Sequence, residues 1–122
     1  MTFIVQNRIG GVLRDAADGA TFEHRDPADR TRGASIAPES TEADVADAVG
    51  AAAEAVAAWK RTTPTQRADV LTKAGQALAA KASQIATEMT AEMGKPLADT
   101  TIEANRTPKN LAPYAGEAYR PT

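Results

Sequence analysis

The chain has 122 residues and a mass of 12.7 kDa, the size of one small domain or of a piece of a larger one. Lys and Arg number 14 against 16 Asp and Glu, for a formal charge of −2, so no basic excess points to nucleic acid or to an anionic membrane surface. Cysteine is absent, which excludes a disulfide framework, thiolate metal sites and any cysteine nucleophile supplied by these residues.

Residues 1–38 read as a β-rich arm. Phe3-Ile4-Val5 is a short apolar run, and Ile9-Gly10-Gly11-Val12-Leu13 sets two glycines between apolar residues, the pattern of a tight reversal. Asp18-Gly19 is a second turn signal because it tolerates positive φ. Thr21-Phe22-Glu23 follows as a return strand, and Asp26-Pro27-Ala28-Asp29 as another turn. Ala34-Ser35-Ile36 reads as at most a weak strand, since Thr31-Arg32-Gly33 before it lacks apolar alternation.

Residues 39–122 read as helical, with three to four helices. The first spans 41–59. Thr41 is its N-cap, Asp44 makes a near capping box, and Glu42 adds negative charge at the positive end of the dipole. Val45, Ala48, Val49, Ala52, Val56 and Trp59 form one apolar stripe, with Gly50 off it. The second helix opens on Thr63-Pro64-Thr65-Gln66, a capping box with proline at the first helical position. Leu71, Ala74 and Leu78 form its face. A third begins near Ser83, with Ile85, Ala86 and Met89 inward, and Gly94-Lys95-Pro96 stops it. Leu97 to Thr107 can be helical before Pro108 and Pro113 interrupt. Tyr114 to Thr122 is expected to carry no further structure.

These elements have little to bury. Alanine supplies 28 of the residues, whereas Leu, Ile, Val and Phe together make 18 of 122, about 15%. So small a share of large side chains predicts thin helices, marginal stability or a missing partner surface. No apolar run approaches the roughly 18 residues of a spanning helix. The first residues carry no signal-peptide pattern, and the expected compartment is the cytoplasm.

Candidate chemistry is sparse. His24, the single histidine, lies between Glu23 and Arg25 and reads as a surface residue. Glu88 and Glu92 stand one helical turn apart and read as a solvated helix face rather than a cation site. Gly10-Gly11 lacks the spacing that cradles pyrophosphate. Arg25, Arg30 and Arg32 interleave with Glu23, Asp26 and Asp29, a mixed polar loop. Trp59 and Met89 fall on helical stripes and read as core or interface. No catalytic, cofactor-binding or metal-ligating residue is assigned.

Several motifs nevertheless occur in a telling order: Ile9-Gly10-Gly11-Val12; Asp26-Pro27-Ala28-Asp29; the helix ending in Trp59; Pro64-Thr65-Gln66-Arg67 with Leu71; Glu92-Met93-Gly94-Lys95-Pro96-Leu97; and Tyr114-Ala115-Gly116-Glu117-Ala118. This series resembles the N-terminal segment of the NAD(P)-dependent aldehyde dehydrogenase superfamily. The resemblance implies an α/β fold, here the N-terminal part of the cofactor-binding domain: a short β-hairpin arm followed by helices. It implies oxidation of an aldehyde through a cysteine thiolate, hydride transfer to NAD or NADP, and release by a glutamate-activated water. In the family these groups lie downstream of the matched segment, so the resemblance carries none of them onto a residue here. The matched residues read as framework, with Trp59 a packing anchor.

The chain also departs from the family pattern. Asp26 and Arg30 replace an asparagine and a glycine, Ile102 a small residue, and Pro113 an aromatic; Pro108 interrupts a helix that normally continues. Such changes suggest relaxed structural demand, as in a truncated or decaying gene product or a cut fragment. The expectation is a chain that binds no cofactor and has no activity by itself. Its expected partner is the missing remainder or a full-length aldehyde dehydrogenase, with neither nucleic acid nor membrane. The competing expectations are a helical interaction module and a partly disordered remnant.

Overall fold

The computed structural model describes residues 2–120. The chain divides into two compact units, residues up to Arg61 and from Thr62 onward.

The first unit carries five strands and one helix: β1 (Phe3–Ile4), β2 (Asn7–Ile9), β3 (Val12–Arg14), β4 (Thr21–Arg25), β5 (Gly33–Pro38) and α1 (Glu42–Trp59). β2 and β3 form an antiparallel hairpin with Ile9 opposite Val12. Gly10 and Gly11 close it at φ of 58° and 83°. Two successive positive φ values are what a twisted two-residue turn needs, and glycine supplies them without a Cβ clash.

β5 is the centre of a three-stranded sheet, parallel to β1 and antiparallel to β4. This corrects the expectation of a weak strand. Ala34 and Ser35 are buried because β5 has a neighbour on each side, a property of pairing that local alternation does not report. The segment before β5 is a closed turn. Arg32 N donates to the Asp29 carbonyl, the Thr31 N–H and hydroxyl donate to Asp29 Oδ1, and Asp26 N donates to the Arg32 carbonyl.

α1 starts as expected. Thr41 Oγ1 accepts from Asp44 N, and Asp44 Oδ2 accepts from Thr41 N, a complete capping box. Its apolar stripe is largely uncovered. Val45, Val49 and Val56 are exposed, and Trp59 is about half exposed at 48%. α1 instead turns Asp47 and Ala51 toward the hairpin, and Asp44 toward Ala17 just past it. The first compact unit continues through α1, which these contacts tie to the strands.

The second unit is three helices: α2 (Pro64–Ala80), α3 (Ala82–Met93) and α4 (Leu97–Glu117). Thr63 and Gln66 form the second capping box, and Gly94 ends α3 in the left-handed region at φ 68°. α4 packs against both α2 and α3. Ala82, Ala86 and Ala104 form its apolar centre with Ile85 against them. Thr100, fully buried, donates to the Leu97 carbonyl and bonds Thr90 at 2.8 Å.

α4 corrects a second expectation. It runs through Pro108 and Pro113, and Tyr114 to Glu117 are helical rather than an unstructured tail. Each proline removes one backbone donor and crowds the preceding turn. Packing against two helices holds the segment in place where propensity alone predicts a break. Gly75 of α2 supplies the room: a Cβ there would meet the Pro108 carbonyl at 3.3 Å. Of the tail, Pro121 and Thr122 lie outside the described residues.

Candidate functional site

A concavity of about 510 Å³ lies between the β2–β3 hairpin and α1. Its walls include Ile9, Gly10 and Val12 on one side and Ala46, Gly50 and Ala51 on the other. Arg14 Nη2 bonds Asp47 Oδ2 across it at 2.9 Å. Both side chains are about half in water, so this pair contributes little stability. Arg14 Nε is itself shielded and lacks a partner, as does Asn7 Nδ2.

Beside the cleft sits Asp44, which is 4% exposed. Its Oδ2 accepts from Thr41 N at 2.8 Å, from Thr41 Oγ1 at 2.9 Å and from Ala17 N at 3.1 Å. The Thr41 N–H first, then the Ala17 N–H, hold its carboxyl below the ordinary 3.8; burial pulls the other way, and the Thr41 hydroxyl and the Arg14 charge add to the lowering. A carboxylate held ionised by that many donors is a structural tie, not a proton shuttle. Asp29 is lowered likewise, by the Thr31 hydroxyl and then the Thr31 N–H. In the second unit Lys95 pairs with Glu103, tying the α3–α4 turn to α4.

The residues singled out from sequence are not gathered into one place. His24 lies exposed on the outer strand β4. Arg25 donates to Glu23 at 2.8 Å and to the Arg30 carbonyl at 3.2 Å, so part of the basic cluster is engaged within its own loop. Glu88 accepts from Gln84 Nε2 at 2.7 Å on the surface of α3. No group of three or more His, Asp or Glu able to hold a metal occurs among the described residues. Gly10 and Gly11 turn a hairpin and do not open a helix. Met89 is half-buried on α3. No helix among the described residues is long and apolar enough to cross a membrane. Sequence reasoning missed the reach of Asp44 to Ala17. The capping pattern marked Asp44, but nothing local marked its third donor.

This fold is shared with proteins of known structure. The sequence matches the aldehyde dehydrogenase family over residues 14–122. This chain belongs to the aldehyde dehydrogenase family. An α-ketoglutaric semialdehyde dehydrogenase of Bacillus subtilis (strain 168) is 34% identical over 116 residues, 95% of this chain and 24% of that protein. The NAD-dependent aldehyde dehydrogenase of Sinorhizobium meliloti superposes with a TM-score of 0.92 at 26% identity, over 96% of this chain and 24% of that one. The succinate-semialdehyde dehydrogenase of Burkholderia pseudomallei gives 0.86 at 33% identity, over 92% and 23%. The chain thus spans about a quarter of the length of the relatives it matches. It has the α/β fold of their N-terminal part, as the motif series from Ile9 to Ala118 implied.

Proposed function

We propose that this chain is the framework portion of an NAD(P)-dependent aldehyde dehydrogenase and has no dehydrogenase activity by itself. The carrying observation is an aldehyde dehydrogenase fold, matched over nearly the whole chain, that accounts for about a quarter of its relatives. The family chemistry needs a thiolate that attacks the carbonyl before hydride leaves for the nicotinamide. These 122 residues contain no cysteine, so the nucleophile comes from other residues. NAD or NADP is the cofactor of the assembled enzyme, and the cytoplasm its compartment. Semialdehydes of dicarboxylic acids are the substrates to try first, because two relatives carry such names.

The test replaces the matching quarter of the Bacillus subtilis relative with this chain. The chimera is expected to form NAD(P)H from a semialdehyde, read at the absorbance of the reduced nicotinamide, while the 122-residue chain forms none. Turnover by the chain alone overturns the assignment as framework; a chimera that is inactive on every aldehyde overturns the functional reading. The second reading, a module that docks on a full-length relative, is favoured by the exposed apolar residues of α1. Co-purification with the intact dehydrogenase supports it. A partly disordered remnant is a third reading, and a sharp cooperative melt counts against it.

A further inference from the structure

Asp18-Gly19 is the only Asp-Gly pair in the chain, and both residues are exposed in the turn that leads into β4. In such a pair the aspartate carboxyl can close a succinimide ring on the next main-chain nitrogen, and glycine has no side chain to obstruct the approach. The turn engages both reacting groups. Gly19 N donates to the Ala16 carbonyl at 2.9 Å, and Asp18 Oδ1 accepts from Ala20 N at 2.9 Å. The residue before them is held as well. Ala17 N donates to Asp44 Oδ2 at 3.1 Å, which fastens the turn to α1. Asp15 lies in the same segment but precedes an alanine, whose Cβ hinders the same ring closure.

We propose that Asp18 is a modification site, where the chain isomerises to isoaspartate, and that the tie from Ala17 to Asp44 controls its rate. The Gly19 nitrogen forms a bond to Asp18 Cγ, and its proton leaves together with the carboxyl hydroxyl as water. Solvent water then opens the ring. Addition at Cγ restores aspartate. Addition at the Asp18 main-chain carbonyl carbon breaks its bond to the Gly19 nitrogen and leaves the main chain running through Cβ and Cγ. Nothing is oxidised or reduced, and the water lost is the water regained. While the turn is closed, the Gly19 proton is committed to Ala16 and the Asp18 carboxyl to Ala20, so reaction requires local opening. The product cannot close the same turn, because its main chain is longer by a carbon and its free carboxylate hangs from Cα. Each event therefore alters the entry to β4.

The 122-residue chain is held at neutral pH, and the tryptic peptide from Asp15 to Arg25 is separated into its aspartyl and isoaspartyl forms and read by mass spectrometry. Isoaspartate is expected at position 18 and is expected to be missing from Asp18→Glu. Its rate of formation should be at least about tenfold lower than in the same chain unfolded in denaturant. Asp44→Asn should raise the native rate about threefold or more. Thr63→Ala, which removes a cap of similar worth from the second unit, should leave it unchanged. No isoaspartate at position 18 even in denaturant overturns the modification site. Equal rates with and without denaturant overturn the control by the fold. Acceleration by Thr63→Ala as large as by Asp44→Asn assigns opening to the whole chain and overturns the role of the Ala17–Asp44 tie. Should Asp44→Asn not fold, hydrogen exchange in the unsubstituted chain decides: the Ala17 and Gly19 amides are expected to be protected, and free exchange at both overturns the proposal.

Discussion

The two units answer the same shortage of large side chains by different means. The unit up to Arg61 joins its parts with polar ties: Asp44 to Ala17, Arg14 to Asp47, and Ser40 to Asn7 at 3.0 Å. The unit from Thr62 joins its helices by close approach, with Ala82, Ala86 and Ala104 at the centre and Gly75 under the Pro108 carbonyl. Small residues let backbones come near one another and leave no slack. Polar ties reach further, and the one through Asp44 depends on ionisation. One unit should therefore be sensitive to volume and the other to pH.

The strongest test of that contrast is Ala104→Leu. Ala104 is 3% exposed at the meeting of α3 and α4. Three extra carbons there force the helices apart, at a cost of about 3 kcal/mol. Denaturant titration should show the loss, while Ala77→Leu, on an exposed position of α2, changes little. An equal response at both positions breaks the claim of tight packing.

An intermediate effect is expected from Asp44→Asn. The carboxyl titrates below its ordinary 3.8 in the folded chain because the Thr41 and Ala17 N–H groups favour the charged form. Its contribution is therefore complete above about pH 3.8 and is lost as the pH falls through the folded value. The stability gap between the native chain and Asp44→Asn should be widest at neutral pH and close in strong acid. A gap that does not vary with pH removes the polar-tie description. The smallest effect belongs to Arg14→Ala. Its ion pair with Asp47 is largely solvated, so the loss should stay below about 1 kcal/mol and shrink further in high salt.

Much of the local structure was legible in the residues. Thr41 with Asp44 and Thr63 with Gln66 announced two helix starts, and Gly94-Lys95-Pro96 announced a stop. Gly10-Gly11 announced a hairpin. These signals are short-range, since the bonds they make lie within three or four residues. What was not legible depended on partners far along the chain. β5 became the central strand by pairing with β1 and β4, and α4 passed two prolines because α2 and α3 flank it. Of the cleft beside α1, only Asp44 was legible, through its capping pattern with Thr41; the family was legible as a resemblance. The ordered motifs from Ile9 to Ala118 pointed to the aldehyde dehydrogenases, and the match over residues 14–122 agrees.

Sequence alone determined the caps, the turns, the lineage and the absence of a thiol, because each is written in neighbouring residues or in composition. Only the tertiary structure decided which apolar residues are buried. Periodicity showed that Val45, Val49 and Val56 share a face, but a stripe on a helix does not state what lies opposite it. That depends on which surfaces the folded chain has to offer, and in this unit the hairpin engages the side of α1 that carries Asp47 and Ala51.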